Sequence, residues 1–321
     1  MKFNLSFLLF YVTMMMGIMV TISSNNWMMM WAGLEISLMS FIPLMGGGVI
    51  GSDSSMKYFI IQSMSSSLLM LSILLLMMNK DFSYLIMISL LLKVGIAPFH
   101  LWILSIVDGL SLNSIFILFS LMKLGPISMM SYMMNNNDLF ILLSLLVGSL
   151  FCLNQNSIRS ILTYSSIYNM GYVISVLNFN IIWFSYLLLY SLVLLMVIFV
   201  LKMLSINYLN QFIINDSKFM TKVNIWIILV SLGGMPPFLG FLPKLMVIQY
   251  MFYCNMKLIV FSMIFSSLIV MFYYIRMMYL MLISFSLLMK FNLLKFSNFS
   301  YWFFYLNSLP LPMILFMKSL L

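Results

Sequence analysis

The sequence predicts an all-α polytopic membrane protein with about eleven transmembrane helices, arranged as two inverted five-helix repeats with broken helices plus a C-terminal helix. Three observations predict it. Hydrophobic residues make up 64% of the 321 and charged residues 7%, where a water-soluble domain carries about a quarter charged. The apolar runs are long and continuous, unlike the short alternating strands of a membrane barrel, so helices are the spanning element. Prolines and glycines gather beside charges inside those runs, as in residues 232–244, LGGMPPFLGFLPK. The mean hydropathy of +1.15 agrees.

Windows of about twenty apolar residues fall at 3–22, 26–47, 56–78, 82–105, 110–133, 138–154, 157–178, 181–204, 223–251, 257–284 and 301–320. No Arg-rich presequence precedes the first, which is long enough to stay as a span rather than be cut as a signal. The sixth is short, and the ninth is long and interrupted by the 232–244 motif. The polar connection 205–222 has room for a short surface helix. The spans group as 1–136 and 137–286, with 287–321 a C-terminal linker and helix. In the first group the second span carries Glu35 and the broken fourth carries Lys93; in the second group the corresponding spans carry Asn169 and Lys244. Five spans per group is an odd number, so the second group is inverted relative to the first. Inverted repeats with discontinuous helices at matched positions mark ion pathways in transporters.

The net charge is +9, yet the fifteen basic residues are scattered singly and form no patch for nucleic acid. Lys2, Lys57, Arg159, Lys202, Lys218, Lys222, Lys290 and Lys295 fall on the N-terminal side of the predicted spans, and Lys80, Lys257 and Lys318 on the other. That bias puts the N-terminus on the electrically negative side, cytoplasm or mitochondrial matrix. Asp53, Asp81, Asp108 and Asp138 fit in loops, and Arg276 snorkels to a helix end. With one histidine (His100) and two distant cysteines (Cys152, Cys254), the chain has too few ligands for bis-histidine haem, an iron–sulfur cluster or zinc. No glycine-rich nucleotide loop follows a strand. The expectation is no cofactor, no metal and no redox centre on this chain.

Glu35, Lys93, Lys123 and Lys244 lie well inside their spans. A charge at a helix centre costs roughly 2.5–3.5 kcal/mol on insertion scales, so each must face a partner or a hydrated cavity. Three lysines against one glutamate cannot all be statically paired, and an unpaired amine must be neutral or wet. A proline lies close to every one of them: KVGIAPFH, KLGP, GFLPK, and Glu35 ahead of FIPLM. Proline removes a donor and bars the carbonyl four residues back from helical bonding. Pro98 therefore frees the carbonyl of Val94, Pro126 that of Met122, and Pro236, Pro237 and Pro243 those of Leu232, Gly233 and Leu239. Bare carbonyls at membrane depth are tolerated only inside protein or beside water, so the breaks are expected to build wet polar pockets where a lysine exchanges its proton. A simple packing kink is the alternative at each proline taken singly.

Arg159, Thr163, Ser166 and Asn169 share one helix face. They order a water chain or act as interhelical glue; Ser65, Ser66 and Ser67 carry the same ambiguity. His100, two residues after Pro98, is either a relay or a structural partner of a freed carbonyl.

At these residues the sequence resembles a known family. WAGLEISLMSFIPLM, LLKVGIAPFHLWI, LMKLGPISMM, TYSSIYNMGYVISVL and LGGMPPFLGFLPKLMVI occur in the order found in the antiporter-like membrane subunits of complex I, specifically chain 2 of mitochondrial NADH–ubiquinone oxidoreductase. The likeness covers most of residues 20–250 and weakens over the last sixty. It implies a proton-translocating membrane-arm subunit of NADH:ubiquinone reductase in the mitochondrial inner membrane, multi-pass, with the N-terminus in the matrix. The implied partners are other membrane-arm subunits, accessory subunits and lipids such as cardiolipin. The family's proton path maps onto Glu35, Lys93, Lys123 and Lys244, with Pro98, His100, Thr163, Ser166, Asn169, Pro236 and Pro237 in support. The 37 methionines resemble a mitochondrially encoded invertebrate protein. One departure stands out: where many relatives carry histidine, this chain has Asn169, and an amide cannot shuttle a proton by titrating. Two other functions remain open at this stage, a non-pumping scaffold of the membrane arm and a free-standing cation/proton antiporter.

Overall fold

The computed structural model describes residues 5–78, 83–133, 137–214, 219–287 and 307. The eleventh predicted span apart from residue 307, most basic residues assigned to the terminal loops, and Asp81 lie outside them. Every element formed by the described residues is a helix, and an isolated bridge joins Ser157 and Tyr208. In order they form α1 (Leu5–Ser23), α2 (Trp27–Met45), α3 (Gly48–Met77), α4 (Ser83–Val94), α5 (Leu101–Val107), α6 (Leu112–Phe119), α7 (Leu121–Met130) and α8 (Asp138–Leu150). A 3-10 turn (Phe151–Asn154) follows, then α9 (Ile158–Ser175), α10 (Asn180–Leu204), the short α11 (Gln211–Ile214), α12 (Phe219–Gly233), α13 (Phe241–Tyr253) and α14 (Lys257–Leu287).

Among these, six segments are long and apolar enough to cross a bilayer: Leu5–Ser23, Trp27–Met45, Gly48–Met77, Leu112–Met130, Asn180–Leu204 and Lys257–Tyr279. Shorter apolar helices run over Ser83–Val94, Asp138–Asn154 and Val223–Gly233. The large apolar side chains left exposed, Leu8, Val12, Met16 and Met19 on α1 among them, are what a lipid or neighbouring-subunit face requires.

Two expectations are corrected. α3 begins at Gly48 rather than near residue 56, so Asp53 and Lys57 stand exposed on a helix and not in a loop. No proline separates Gly48 from Met56, and the serines there bond back along the helix, Ser52 Oγ to the Val49 carbonyl at 2.6 Å and Ser55 Oγ to that of Ser52 at 2.8 Å. The span at 110–133 is interrupted at Ser120, and Pro126 lies within α7. The interruption lies six residues before the proline, upstream of the Met122 carbonyl that the ring blocks.

The chain divides into two compact units, Met1–Phe140 with Leu177–Asn180, and Ile141–Val176 with Ile181–Leu321. In the first unit α1 crosses α2 closely. A Cβ on Gly17 would stand 2.8 Å from the Gly33 carbonyl oxygen, so only glycine permits the approach. Apolar burial drives little helix association in lipid, and such close backbone packing takes its place. α7 then rests on both, with Gly125 against Leu34 and Thr21. In the second unit α9 is central: all residues from Ile161 through Ile174 are buried.

Candidate functional site: buried lysines at two helix breaks

In the first unit, α4 ends where Gly95 takes a left-handed conformation (φ +72). The N–H groups of Gly95 and Ile96 both reach the Leu91 carbonyl, at 2.9 and 3.3 Å, the glycine-terminated end that side chains with a Cβ disfavour. Lys93 sits in this last turn. Its ammonium lies 3.3 Å from Glu35 Oε1 on α2; the lysine side chain is 3% exposed and the glutamate 22%. Gln62 of α3 donates from Nε2 to the Lys93 carbonyl at 3.1 Å, tying the broken end to α3. Trp31 Nε1 donates to the Ser66 carbonyl at 3.3 Å and fixes α2, with Glu35, against the same helix.

Lys93 and Lys123 line one cavity of about 30 Å³, together with Ser37, Tyr58, Gln62 and Trp102. A water needs roughly 10–15 Å³ of such space and two to four polar partners. The cavity has room for about two, and its walls supply the partners. Trp102 Nε1 is buried without a hydrogen bond among the described residues. The Lys123 ammonium has neither a hydrogen-bond acceptor nor a carboxylate among the described residues; it lies 5.3 Å from the Phe119 ring centroid, a cation–π contact.

In the second unit α12 ends the same way. Gly234 is left-handed (φ +91), and the N–H groups of Gly234 and Met235 reach the Val230 carbonyl at 3.1 and 3.3 Å. Here the lysine comes after the break, in the first turn of α13. Lys244 Nζ donates to the Gly233 carbonyl at 2.7 Å and to the Leu232 carbonyl at 3.2 Å. These are the two carbonyls that Pro236 and Pro237 deprive of a helical donor. The ammonium also lies 5.1 Å from the Tyr168 ring centroid. Lys244 lines a second cavity of about 20 Å³, with Asn169, Tyr186, Tyr190 and Ser231. Tyr186 donates from its hydroxyl to Asn169 Oδ1 at 2.8 Å.

The supporting residues divide. Asn169 reaches the Lys244 cavity, but Thr163 and Ser166 donate to carbonyls of their own helix, Ser160 at 2.6 Å and Thr163 at 2.7 Å. A hydroxyl in a membrane helix takes its own helix's carbonyl when no better acceptor faces it. Ser65, Ser66 and Ser67 do likewise. His100 is half-buried, with Nδ1 3.2 Å from the Pro98 carbonyl, and it lines neither cavity. Pro98, Pro236 and Pro237 are exposed and line neither cavity, because the glycine one turn earlier has already ended the helix. Tyr58, Gln62, Trp102, Tyr186 and Tyr190 were not singled out from sequence. Tyr58 and Gln62 share a helix face with Ser65, at spacings of four and three, and that polar stripe was the available signal.

Long apolar helices, together with two shorter ones that end beside buried lysines over cavities of water size, are the make-up of an antiporter-like membrane subunit, and the family model described as NADH:quinone oxidoreductase/Mrp antiporter, TM, matches residues 24–83 and 77–271. NADH-ubiquinone oxidoreductase chain 2 of Anopheles gambiae is 39% identical over 287 residues, 84% of each chain, and that of Locusta migratoria 38% over 285 residues, 84% of this chain and 83% of the other. The chain belongs to the NADH–ubiquinone oxidoreductase chain 2 family. Its fold is that of a chain in respiratory complex I from Thermus thermophilus with bound aureothin, at a TM-score of 0.76 and 17% identity over 88% of this chain and 71% of that one.

Proposed function

We propose that the chain is a proton-translocating membrane-arm subunit of respiratory complex I, coupling NADH:ubiquinone electron transfer to proton movement through Glu35, Lys93, Lys123 and Lys244. One observation carries the reading: Lys93 and Lys123 face a single cavity of about 30 Å³, and among the described residues a carboxylate stands against Lys93 but none against Lys123. While Glu35 stays close, Lys93 holds its proton. A shift of α2 that withdraws the carboxylate leaves an ammonium in low dielectric, which is costly, and the cavity water offers the proton a way to Lys123. Lys244 is the exit of this chain or the contact with a neighbouring subunit's path. Such interacting sites titrate as a set rather than singly.

In this reading the membrane-spanning topology is eleven helices, with inverted halves at 1–136 and 137–286 and a C-terminal segment at 287–321. The N-terminus faces the matrix of a mitochondrion. The neighbours are other membrane-arm and accessory subunits and inner-membrane lipids such as cardiolipin. Electrons pass through other subunits, and this chain supplies no redox centre.

The ion pair at 3.3 Å favours a second reading, in which the charges are locked and the chain is a passive scaffold. Lys123→Met separates the two readings. In the assembled complex reconstituted into vesicles, NADH-driven proton translocation is expected to be lost while assembly is kept. A normal proton-to-electron ratio in that variant ends the pump assignment.

A further inference from the structure

Among the described residues Glu35 stands against Lys93, and no carboxylate lies within ion-pair distance of Lys123 or Lys244. Each of those two ammonium groups lies over an aromatic ring, Lys123 over Phe119 at 5.3 Å from the centroid and Lys244 over Tyr168 at 5.1 Å. Lysine and ring are buried together in both places, the lysines 3% and 5% exposed and the aromatic residues 0%. A ring face carries negative charge from its quadrupole and attracts a cation within about 6 Å, most strongly where water is excluded.

The backbone beneath each ring is anchored without help from the lysine. Phe119 closes α6 at the Ser120 interruption, where the Ser120 N–H and Oγ both donate to the Phe116 carbonyl, at 3.0 and 2.6 Å. The Tyr168 hydroxyl donates to that of Tyr172 at 2.9 Å, and Tyr172 donates to the Met263 carbonyl of α14 at 3.0 Å. Gly148 of α8 packs on the same residue so closely that a Cβ there would stand 2.6 Å from the Tyr168 nitrogen. Both rings are fixed surfaces, and each of the two lysines lines a cavity through which its proton can leave.

We propose that Phe119 and Tyr168 are positioning residues for proton transfer, neutral aromatic seats for the two lysines that face no carboxylate in this chain. A buried carboxylate suits only one state of its lysine. It can take the proton itself, and it is left as an unpaired anion when the amine is neutral. A ring does neither. It attracts the ammonium through its quadrupole, offers no basic atom, and stays uncharged beside the neutral amine. The Gly233 and Leu232 carbonyls that also hold Lys244 are neutral in the same way. When a lysine gives its proton to cavity water, one N–H bond breaks and one O–H bond forms, no electron moves, and the ring is unchanged. The seat thus accepts both states of the carrier and strands a charge in neither.

The inference rests on the proton-carrying reading above, and its test keeps the two apart. Leucine at either position keeps apolar bulk and removes the ring face, whereas Tyr168→Phe keeps the face and removes the hydroxyl. In the assembled complex in vesicles, Phe119→Leu and Tyr168→Leu are each expected to slow NADH-driven proton translocation about tenfold. Tyr168→Phe is expected to stay within about twofold of normal; if it is as slow as Tyr168→Leu, the hydroxyl and not the face is at work and the seat is overturned. Phe119→Leu should also lower the melting temperature of the complex less in a Lys123→Met background, because the pair is coupled. An equal drop in both backgrounds marks packing alone and overturns the seat. Normal translocation in both leucine variants beside a dead Lys123→Met removes the seats and leaves the function standing; normal translocation in all three removes both. A structure of the unmodified complex decides the matter if the leucine variants do not assemble. Ammonium groups within about 6 Å of both ring centroids support the seats, and an ammonium turned off its ring onto a neighbouring subunit's carboxylate overturns them.

Discussion

α4 in the first unit and α12 in the second end alike. In each, a left-handed glycine and the residue after it direct their N–H groups to a single carbonyl, that of Leu91 or Val230, and a Pro-Phe pair follows three residues on, Pro98-Phe99 or Pro237-Phe238. The cations differ. Lys93 precedes its glycine and faces a carboxylate, whereas Lys244 follows its break and faces two backbone carbonyls. A carboxylate can be withdrawn by moving α2 or neutralised by a proton, while a carbonyl moves only with the helix end that bears it. In the proposed path, one backbone device would thus serve a switch in the first unit and a fixed holder in the second.

The largest expected effect tests that contrast directly. Glu35→Gln leaves Lys93 as a buried cation without its counter-charge. Breaking a buried pair costs about 3–5 kcal/mol, and because the Glu35 side chain is 22% exposed the loss belongs at the low end, about 3 kcal/mol. Combining it with Lys93→Met should restore most of the stability of the assembled complex in denaturant or thermal unfolding. Lys244→Met leaves two carbonyls short of a donor and no stranded charge, so about 1–2 kcal/mol is expected there. Equal losses in the two units would break the comparison.

A smaller effect sharpens it. Alanine at Gly95 or Gly234 is strained by the left-handed backbone, by roughly 1–2 kcal/mol. A Cβ at position 95 meets the side chain of Ile103, which can turn aside; one at 234 lies 3.0 Å from Lys244 Nζ. Both variants should lose similar stability, but Gly234→Ala should also slow proton translocation, whereas Gly95→Ala should largely spare it. If the two slow translocation equally, the break itself and not the lysine's seat limits the rate.

How much of this was legible follows from the same residues. Lys93, Lys123, Lys244 and Glu35 stand out in any apolar run because a charge there is costly wherever it points, so the sequence exposes the cations before any contact is known. Gln62, Tyr58 and Tyr190 do not stand out. Amides and tyrosines are tolerated at many depths, and only packing shows that Gln62 grips the Lys93 carbonyl or that Tyr190 reaches the Lys244 cavity. The stripe on α9 was legible as a face but not in its commitments, since Thr163 and Ser166 turn to their own helix while Asn169 turns to the cavity. The breaks were legible by position and misattributed by cause: proline is the conspicuous residue, whereas the left-handed φ values belong to Gly95 and Gly234.

That attribution yields the smallest effect. Pro237→Ala restores an N–H four residues after Gly233, yet the Gly233 carbonyl already accepts from Lys244 at 2.7 Å and Gly234 has turned the chain away from the helix axis. The ring is exposed, so its removal opens no hole. What is lost is the restriction proline places on the unfolded chain, about 0.4–1 kcal/mol, with proton translocation unchanged. A collapse of translocation in Pro237→Ala would mean that the new N–H competes with the Lys244 ammonium for the carbonyl. The proline would then keep that acceptor open for the lysine, and the glycine alone would not account for the break.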